Sequence, residues 1–541
     1  MKKIIFILFT ILLFSTASYG QTAEEYFNTG HVKADAGDFK GALADYDQAI
    51  SLSDNYIEAL TNRGYVKYRL GNYREALTDL DNAIAMNPNY AWSYSIRGLT
   101  KVQLGDQNEA MNDFTKAIEV DPDFFWAYNN RGLEKSKKGD IEGALVDLDK
   151  AVEINPYYAE GYSSRGLIKF RSGDKQGGIT DYNKSLEIDP KNELTYFSWG
   201  YALSKSGDTK GSIANYSKAI EVSPKYAVAY YNRGIEKTKS GDLKGGLDDY
   251  NKVIEMNPGY PRVFSQRGSA KLKMNDLQGA MVDFSHDIGD NPKDAGAFRN
   301  RAEAKDRSGD FRGAIEDYNK AIEINPNNSD FYNLRGNEKG YLYDFKGALS
   351  DFNRALELNP NSSDAYNNRG NIKSRSGDVK GAIKEYNKSL AIKSLYLVIL
   401  NRALAKSKIQ DYKGAIVDFD EGIKLNPGIK YAYFSRAFAK AKINDLQGAI
   451  ADYTKAIELS PVYIEAFTNR GELRSKSGDL AGALSDFNRA IVINPKSANA
   501  YFLRASAYIS SGNNNSGCED LHKALELGFK NAEEMIKKYC K

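Results

Sequence analysis

A 34-residue interval organises almost the whole chain. A Gly-Asp pair starts at Gly105 and again at Gly139, and a proline lies in a fixed register at Pro122 and Pro156. Periods of about 20–50 residues indicate stacked supersecondary units rather than independent globular domains. Each interval also contains two stretches in which apolar residues recur at helical spacing, so we predict helical hairpins that stack end to end.

The overall charge narrows the classes of partner. Hydrophobic residues make up 42% and charged residues 27% of the 541 residues, which is ordinary for a folded protein. With 74 basic and 71 acidic residues, the net charge is only +3. Because this balance gives no extended field of one sign, neither a nucleic acid nor an anionic membrane is expected as a partner.

The first twenty residues differ in composition from the rest. Lys2 and Lys3 precede an apolar run at residues 4–14, and small or polar residues follow as far as Gly20. This order is typical of a secretory signal peptide, with cleavage expected near Gly20 and Gln21. The run is too short to span a bilayer comfortably, and no transmembrane segment is expected in the mature chain. We therefore predict an exported protein, periplasmic or secreted.

Each position of the repeat has a recognisable physical role. Counting starts at Ala23, Ile57 and every 34 residues thereafter. Position 8 is small, as at Gly132, and position 24 is aromatic or leucine, as at Leu148. A small residue opposite a large one lets two helices approach closely. The glycine at position 15 and the aspartate at position 16 predict the end of one helix and the N-cap of the next.

One unit illustrates the complete pattern through Gly132, Ala144, Leu148, Ala151 and Pro156. In residue type and spacing it resembles the tetratricopeptide repeat family, and the resemblance covers residues 23 to about 531. The resemblance implies an all-α fold, a right-handed superhelical α-solenoid of about fifteen helical hairpins with a C-terminal capping helix.

The predicted organisation has four parts. Residues 1–20 form the signal peptide, residues 21–395 repeats 1 to 11, residues 396–531 repeats 12 to 15, and residues 532–541 the capping helix. A one-residue break separates the two runs of repeats, where the proline is missing before an apolar stretch at residues 397–400. The break indicates either a local kink or a partner-binding patch.

Charged residues follow the repeat in rows. Arginine occupies position 7 in thirteen of fifteen units, and position 23 is acidic in fourteen. We predict an internal ladder of ion pairs, such as Arg131 with Asp147, because an unpaired charge between hairpins would cost about 3–5 kcal/mol. A further basic row at position 13, from Arg69 to Lys476, suits the ends of the first helices or an anionic ligand.

In this family the first helix of each hairpin faces a concave groove. Asparagine at position 6 in eight units resembles the asparagine ladder of O-linked N-acetylglucosamine transferases, which implies binding of an extended peptide backbone. Exposed aromatic side chains provide anchors for proteins or sugars. The family's carboxylate clamp, Lys at position 5 with Asn at position 9, is absent from every unit. The predicted groove residues are Asn62, Trp92, Trp126, Asn130, Tyr201, Tyr231, Asn232, Asn300, Asn368, Asn401, Phe434 and Asn469.

The sequence offers little for catalysis or metal binding. The three histidines are scattered over distant units, and the two cysteines lack metal-ligand spacing. No phosphate loop, nucleophile elbow or zinc-protease pattern occurs, so we expect no enzyme activity, cofactor or metal. Antiparallel packing of the last helices would bring Cys518 and Cys540 together, either as a disulfide or as two free thiols.

Two classes of function remain for such a chain. The first is a protein-interaction scaffold that binds a protein or peptide along the concave groove. The alternative is a surface for a glycan or cell-wall polymer, which would use the same aromatic and asparagine side chains. The sequence does not indicate an oligomeric state.

Overall fold

The computed structural model describes residues 21–540. The signal peptide predicted at residues 1–20 lies outside the described residues. Between residues 21 and 540 the chain folds into 31 α-helices without a β-strand. Within each of the two compact units, helices pair as hairpins that pack on one another. The predicted all-α solenoid is confirmed.

The chain divides into two compact units at Gln266 and Arg267. Fourteen helices lie wholly within the first unit as far as it is described: α1 (Ala23–Asp35), α2 (Phe39–Leu52), α3 (Ile57–Arg69), α4 (Tyr73–Met86), α5 (Ala91–Leu104), α6 (Gln107–Val120), α7 (Phe125–Lys137), α8 (Ile141–Ile154), α9 (Ala159–Arg171), α10 (Lys175–Ile188), α11 (Glu193–Lys205), α12 (Thr209–Val222), α13 (Ala227–Ser240) and α14 (Leu243–Met256).

The point of division falls inside α15 (Val263–Lys273). The helices that follow it in the described part of the second unit are α16 (Leu277–Asp290), α17 (Ala295–Ser308), α18 (Phe311–Ile324), α19 (Ser329–Tyr341), α20 (Phe345–Leu358), α21 (Ser363–Arg375), α22 (Val379–Ile392), α23 (Tyr396–Lys408), α24 (Tyr412–Leu425), α25 (Lys430–Lys442), α26 (Leu446–Leu459), α27 (Ile464–Lys476), α28 (Leu480–Ile493), α29 (Ala498–Ser510), α30 (Asn514–Glu526) and α31 (Ala532–Tyr539).

The turn within most hairpins depends on a Gly-Asp pair. Gly139 has φ = 89°, a left-handed conformation that glycine adopts without steric cost. Asp140 then caps α8 by accepting a hydrogen bond from the backbone N–H of Gly143 at 2.9 Å. Four repeats of the second unit hold a larger residue at this position, with φ between 63° and 66°: Asn275, Tyr343, Gln410 and Asn444.

Close helix packing inside each hairpin rests on one small and one large residue. A Cβ atom added to Gly98 in α5 would lie 2.6 Å from Cε1 of Phe114 in α6, so no larger residue fits without movement. Phe114 has no exposed surface. Burying an aromatic ring of this kind contributes about 2–3 kcal/mol, and each hairpin repeats the arrangement.

The predicted ladder of ion pairs is confirmed. Nε and Nη2 of Arg131 donate to the two carboxylate oxygens of Asp147 at 2.9 and 2.8 Å, and Nζ of Lys135 lies 2.8 Å from the same carboxylate. The arginine also reaches the preceding hairpin, which the sequence did not predict. In Arg97, Nη1 donates to Asp81 of α4 at 2.7 Å. Each such arginine therefore joins two hairpins.

The one-residue break lies between α22 and α23. Val398, Ile399 and Leu400 are 2%, 1% and 8% exposed and belong to the core, whereas Leu397 is 57% exposed. The hypothesis of a partner-binding patch at residues 397–400 is therefore wrong for three of these four residues. They are apolar because α23 packs on its neighbours on this side.

The C-terminal helix α31 covers the end of the array. Met535 and Ile536 pack against buried Leu521 and Ala532. Cys518 in α30 and Cys540 after α31 form a disulfide bond in the structure, with the two sulfur atoms 2.00 Å apart. The last hairpin is thus covered by a short helix that is covalently attached to it.

None of the helices between residues 21 and 540 combines the length and hydrophobicity needed to cross a membrane.

Candidate functional site

A cleft in the second unit is formed by the first helices of four consecutive hairpins. It has a volume of about 740 Å³ and is lined by residues of α19, α21, α23 and α25. Four asparagines contribute amides to its wall: Asn337, Asn368, Asn371 and Asn401. We call it the amide cleft.

Helical periodicity explains why these side chains share one surface. Asn368, Asn371 and Arg375 stand at intervals of three and four residues in α21, and so lie on one face of that helix. The next helix of the same kind, α23, presents Asn401 and Lys408 at the matching positions. Because the repeat holds neighbouring helices in register, equivalent faces meet along the cleft.

Hydrogen bonds join the asparagines across three helices. Nδ2 of Asn401 donates to Oδ1 of Asn367 at 3.1 Å, and Nδ2 of Asn367 donates to Oδ1 of Asn368 at 3.3 Å. Nδ2 of Asn368 in turn donates to Oδ1 of Asn333 in α19 at 3.2 Å. An amide offers two donors and two acceptor sites, so each member keeps capacity for a ligand while its neighbours hold its orientation.

A buried tyrosine orients a further amide. The hydroxyl of Tyr386 in α22 donates to Oδ1 of Asn371 at 2.8 Å. Burial raises the pKa of Tyr386 above its usual range, so the phenol remains a hydrogen-bond donor. With its oxygen engaged, Asn371 retains its Nδ2 group as a donor for a ligand.

Two cations line the amide cleft. The guanidinium of Arg375 lies over the rings of Tyr343 and Phe345, 5.4 and 5.2 Å from their centres. Lys408 donates from Nζ to Oγ of Ser374 at 3.2 Å. Neither cation has a carboxylate partner among the described residues, and no acidic side chain lines the cleft.

Apolar side chains also line the amide cleft. Phe434 is half-buried and packs against the rings of Tyr453 and Tyr463, with centres 5.3 and 5.0 Å away. Phe438 is 42% exposed and Leu404 is 44% exposed. These side chains leave apolar surface open to a bound molecule.

Asn368, Asn401 and Phe434 are the predicted groove residues that the structure brings together in this cleft. Asn337, Asn371, Arg375 and Lys408 were not among the predicted groove residues. The two cations belong to the basic row at position 13, for which an anionic ligand was one of two alternatives. One local pattern in the sequence could have indicated this site: Asn368 and Asn371 at positions 6 and 9 of a repeat that has Arg375 at position 13.

Asn62 and Trp92 lie elsewhere, in a shallower cleft of about 640 Å³ in the first unit. Nε1 of Trp92 donates to Oδ1 of Asn62 at 3.3 Å. The ring of Trp92 stands at 82° to that of Trp126, with centres 5.4 Å apart. Trp126 is 36% exposed and also stacks on Tyr158. Most of this aromatic surface therefore packs between hairpins.

Two predicted amides bond within the scaffold. Nδ2 of Asn232 donates to the carbonyl of Val228 in its own helix at 2.8 Å. Nδ2 of Asn469 donates to the hydroxyl of Tyr453 at 3.2 Å. The asparagines at position 6 therefore do not act alike along the array.

The remaining predicted groove residues lie outside both clefts. Oδ1 of Asn300 accepts from Nη1 of Arg299 at 3.2 Å, and Nδ2 of Asn130 is buried without a hydrogen-bond partner. The ring of Tyr201 carries Lys205 at 5.2 Å, and the ring of Tyr231 contacts two neighbouring tyrosines.

The described residues include no cluster of three or more side chains suited to hold a metal ion. The amide cleft is equipped for hydrogen bonding, for attraction of negative charge and for apolar contact.

Comparison with protein families gives consistent matches along the chain. A family model described as TPR repeat matches residues 30–71, 98–135, 200–235 and 307–337. Models described as Tetratricopeptide repeat match residues 57–90, 127–158, 159–192, 352–384, 431–463 and 498–538. Together the matched segments cover more than half of the chain. No curated protein sequence matches it.

Several solved structures are similar in fold. The APC/C hetero-tetramer Cut9-Hcn1 is 15% identical, with a TM-score of 0.41, over 83% of this chain and 96% of that chain. YrrB, a TPR protein with an unusual peptide-binding site, is 24% identical with a TM-score of 0.32, over 34% and 96%. A tetratricopeptide repeat protein from Parabacteroides merdae is 20% identical with a TM-score of 0.35, over 46% and 98%.

Proposed function

We propose that this chain, which belongs to the tetratricopeptide repeat family, is a non-enzymatic scaffold that holds an extended segment of a partner protein in the amide cleft. The observation that carries the proposal is the row of linked amides from Asn401 through Asn367 and Asn368 to Asn333. An extended backbone presents N–H and C=O groups that amides can satisfy whatever the side chains of the segment.

The extent of the cleft suits a segment of several residues. It is lined by four helices from successive hairpins. An extended peptide advances about 3.3 Å per residue, so a segment of several residues would lie across these helices. Its main chain would contact the asparagines while one side chain contacts Phe434 and Phe438.

A test starts from a phage-displayed library of random twelve-residue peptides, selected on the immobilised full chain. Affinities of the enriched peptides are then measured by fluorescence polarisation. We expect Asn368→Ala with Asn401→Ala to weaken binding by roughly tenfold or more, because the peptide loses two or more hydrogen bonds.

Asn300→Ala with Asn469→Ala is the matched control, since both asparagines occupy the same repeat position outside the cleft. This control should change affinity by less than about twofold. Equal losses in the two double variants, or no enriched peptide at all, would contradict the proposal. Thermal melting of both variants checks that the fold is retained.

Glycan binding is the alternative function. It is favoured by Phe438 in the amide cleft, which is 42% exposed, and separately by Trp126 in the first unit, which is 36% exposed. Cell-wall oligosaccharides are therefore included as ligands in the polarisation assay. Oligosaccharide binding that depends on these aromatic rings, without any peptide binding, would replace the scaffold proposal.

The proposal also places the mature chain outside the cytoplasm. The bond between Cys518 and Cys540 supports this location, because disulfides persist in oxidising compartments. N-terminal sequencing of the protein from its native host should find a mature chain that begins near Gln21. A retained Met1 would contradict export by signal-peptide cleavage.

A further inference from the structure

Most cations of the repeats are neutralised by the fold itself. Arg335 and Lys339 both bind the carboxylate of Asp351, at 2.6 and 2.8 Å. The same three-residue arrangement recurs in most hairpins, where the arginine and the lysine share one buried acid. A cation bound in this way has little uncompensated charge left to attract a ligand.

The cations at repeat position 13 fall into two groups. Some are paired with an acid on their own helix, as when Nζ of Lys239 lies 2.7 Å from Glu236, three residues earlier. In contrast, Arg375 and Lys408, like most other members of the row, have an apolar residue three positions earlier, here Ile372 and Ala405. The fold therefore leaves a positive charge uncompensated in the second group.

Arg375 and Lys408 are the cations of this row that line the amide cleft, and no acidic side chain lines it. Two aromatic rings hold the guanidinium of Arg375, and Ser374 holds the ammonium of Lys408. Cations already held in place lose little side-chain entropy when a ligand binds. Because the surrounding walls exclude part of the solvent, the attraction for a carboxylate is stronger than at a flat surface.

The apolar lining of the amide cleft further restricts which segments can bind. Leu404, Phe434 and Phe438 lie on α23 and α25, whereas Arg375 lies on α21 and Lys408 at the end of α23. A segment that crosses these helices meets positive charge in one part and apolar surface in another. A segment that is only acidic, or only apolar, would leave one part of the cleft unmatched.

We infer that the partner segment carries an aspartate or glutamate side chain that binds Arg375 and Lys408, close to a large apolar side chain that packs on Phe434 and Phe438. This inference rests on the proposed function of the amide cleft. The arrangement recognises an acidic side chain within a segment, and it uses different repeat positions from a clamp for a chain terminus. Charge-assisted hydrogen bonds to arginine give the acidic residue both affinity and geometric selectivity.

The test repeats the peptide selection with two further proteins. One carries Arg375→Glu with Lys408→Glu, which reverses the charge of the cleft. The other carries Lys273→Glu with Lys476→Glu, which reverses two cations at the same repeat position outside it. All peptides are synthesised with an amidated C-terminus, so that any carboxylate comes from a side chain.

The unmodified chain should enrich peptides with an acidic residue near an aromatic or aliphatic residue, and the control should enrich the same class. Charge reversal in the cleft should lower the affinity for those peptides by roughly a hundredfold and favour peptides with lysine or arginine. Replacing the acid in the peptide by its amide should cost at least roughly tenfold with the unmodified chain, and much less with the reversed cleft.

The possible failures are distinguishable. Peptides that require Asn368 and Asn401 but show no preference for acidic residues would overturn this inference and leave the proposed function standing. Peptides that bind independently of these asparagines would contradict the proposed function itself. An equal response of the two charge-reversed proteins would show a general effect of net charge and would also overturn the inference.

Discussion

Repeat 5 (α9 and α10) and repeat 6 (α11 and α12) have different residues at three equivalent positions between their helices. In repeat 5, Arg165 and Lys169 bind the carboxylate of Asp181 at 2.6 and 3.0 Å. In repeat 6 the three equivalent residues are Trp199, Leu203 and Asn215, and none carries a charge. The two hairpins are nevertheless built alike, with helices of 13 and 14 residues in each.

Between these two repeats, the arginine, the lysine and the acid at positions 7, 11 and 23 are present or absent together. Trp199 stacks on Tyr182 of the preceding hairpin, with ring centres 5.4 Å apart and an interplanar angle of 10°. It thus makes by apolar contact the link that arginine makes elsewhere by hydrogen bonds. A buried ion pair can be replaced by well-packed apolar residues at little cost, provided that no single charge remains behind. Removing one member should therefore harm the array far more than removing all three.

The largest effect is expected from Asp147→Ala. This change leaves Arg131 and Lys135 without their carboxylate and should destabilise that hairpin by about 3–5 kcal/mol. Because stability in a repeat array is mainly local, hydrogen exchange of α7 and α8 is the appropriate measurement. Asp149→Ala, which removes an exposed partner of Arg165, should cost less than about 1 kcal/mol. Unchanged exchange in Asp147→Ala would show that the ladder does not stabilise the array.

The reverse change places an acid where repeat 6 has no cation. Asn215→Asp should destabilise this repeat by about 1–3 kcal/mol at neutral pH, because a half-buried carboxylate would face Trp199 and Leu203. Burial favours the protonated acid, so its pKa should rise and the loss should be smaller at pH 5 than at pH 8. The triple variant with Trp199→Arg and Leu203→Lys should recover most of the loss in hydrogen exchange. If the triple variant were no more stable than Asn215→Asp, the three charged residues would not stabilise a hairpin cooperatively.

Glu338 is a natural example of an uncompensated acid. Only 2% of Glu338 is exposed. Burial, and to a smaller extent the charge of the neighbouring Asp306, raises its pKa from 4.5 to about 8. Because the folded state favours the protonated form of Glu338, the stability that this proton provides is fully present below pH 4.5. It is lost as the pH rises towards 8. Glu338→Gln should therefore stabilise the array by about 1 kcal/mol at pH 8 and less at pH 5, measured by thermal melting.

Glu134→Gln is the matched control for this prediction. Glu134 occupies the same repeat position but lies 2.5 Å from Nζ of Lys137, a cation that repeat 10 replaces with Tyr341. The control should not stabilise the chain at pH 8, because it removes a paired charge. A pH-independent effect of Glu338→Gln would contradict the raised pKa.

The smallest effect is expected from Asn215→Ala. Nδ2 of Asn215 donates to the carbonyl of Gly211 in its own helix at 3.0 Å, and this bond does not join two helices. We expect a loss of less than about 0.5 kcal/mol by hydrogen exchange of α12. A loss close to that of Asp147→Ala would mean that position 23 stabilises the repeat through its shape rather than its charge.

Features that depend on one repeat could be predicted from the sequence. The spacing identified the hairpins, and the pairing of Arg131 with Asp147 followed from the cost of an isolated charge. The link from Arg97 back to Asp81 was missed, because it requires the distance between neighbouring hairpins, which no single repeat reveals. A short polar residue recurs at position 25, occupied by Asp81 in repeat 2, and was the signal available for this link.

The candidate site was less predictable than the fold. Asparagine at position 6 indicated a ladder, yet Asn232 bonds to its own helix and Asn401 joins a network across helices. The difference depends on side-chain rotamers and on neighbours one repeat away, which the sequence does not show. Likewise, cations occupy position 13 in most repeats, but only the structure shows that Arg375 and Lys408 line a cleft together with asparagines.

The amide cleft combines two unneutralised cations with amides and apolar side chains, and the bound state provides the most direct test of this site. Hydrogen exchange of the full chain is compared with and without a saturating peptide from the selection. The account predicts slower exchange concentrated in α19, α21, α23 and α25, with no change in α3 or α5 beside Asn62 and Trp92. Protection centred on those first-unit helices, with none around the amide cleft, would contradict it.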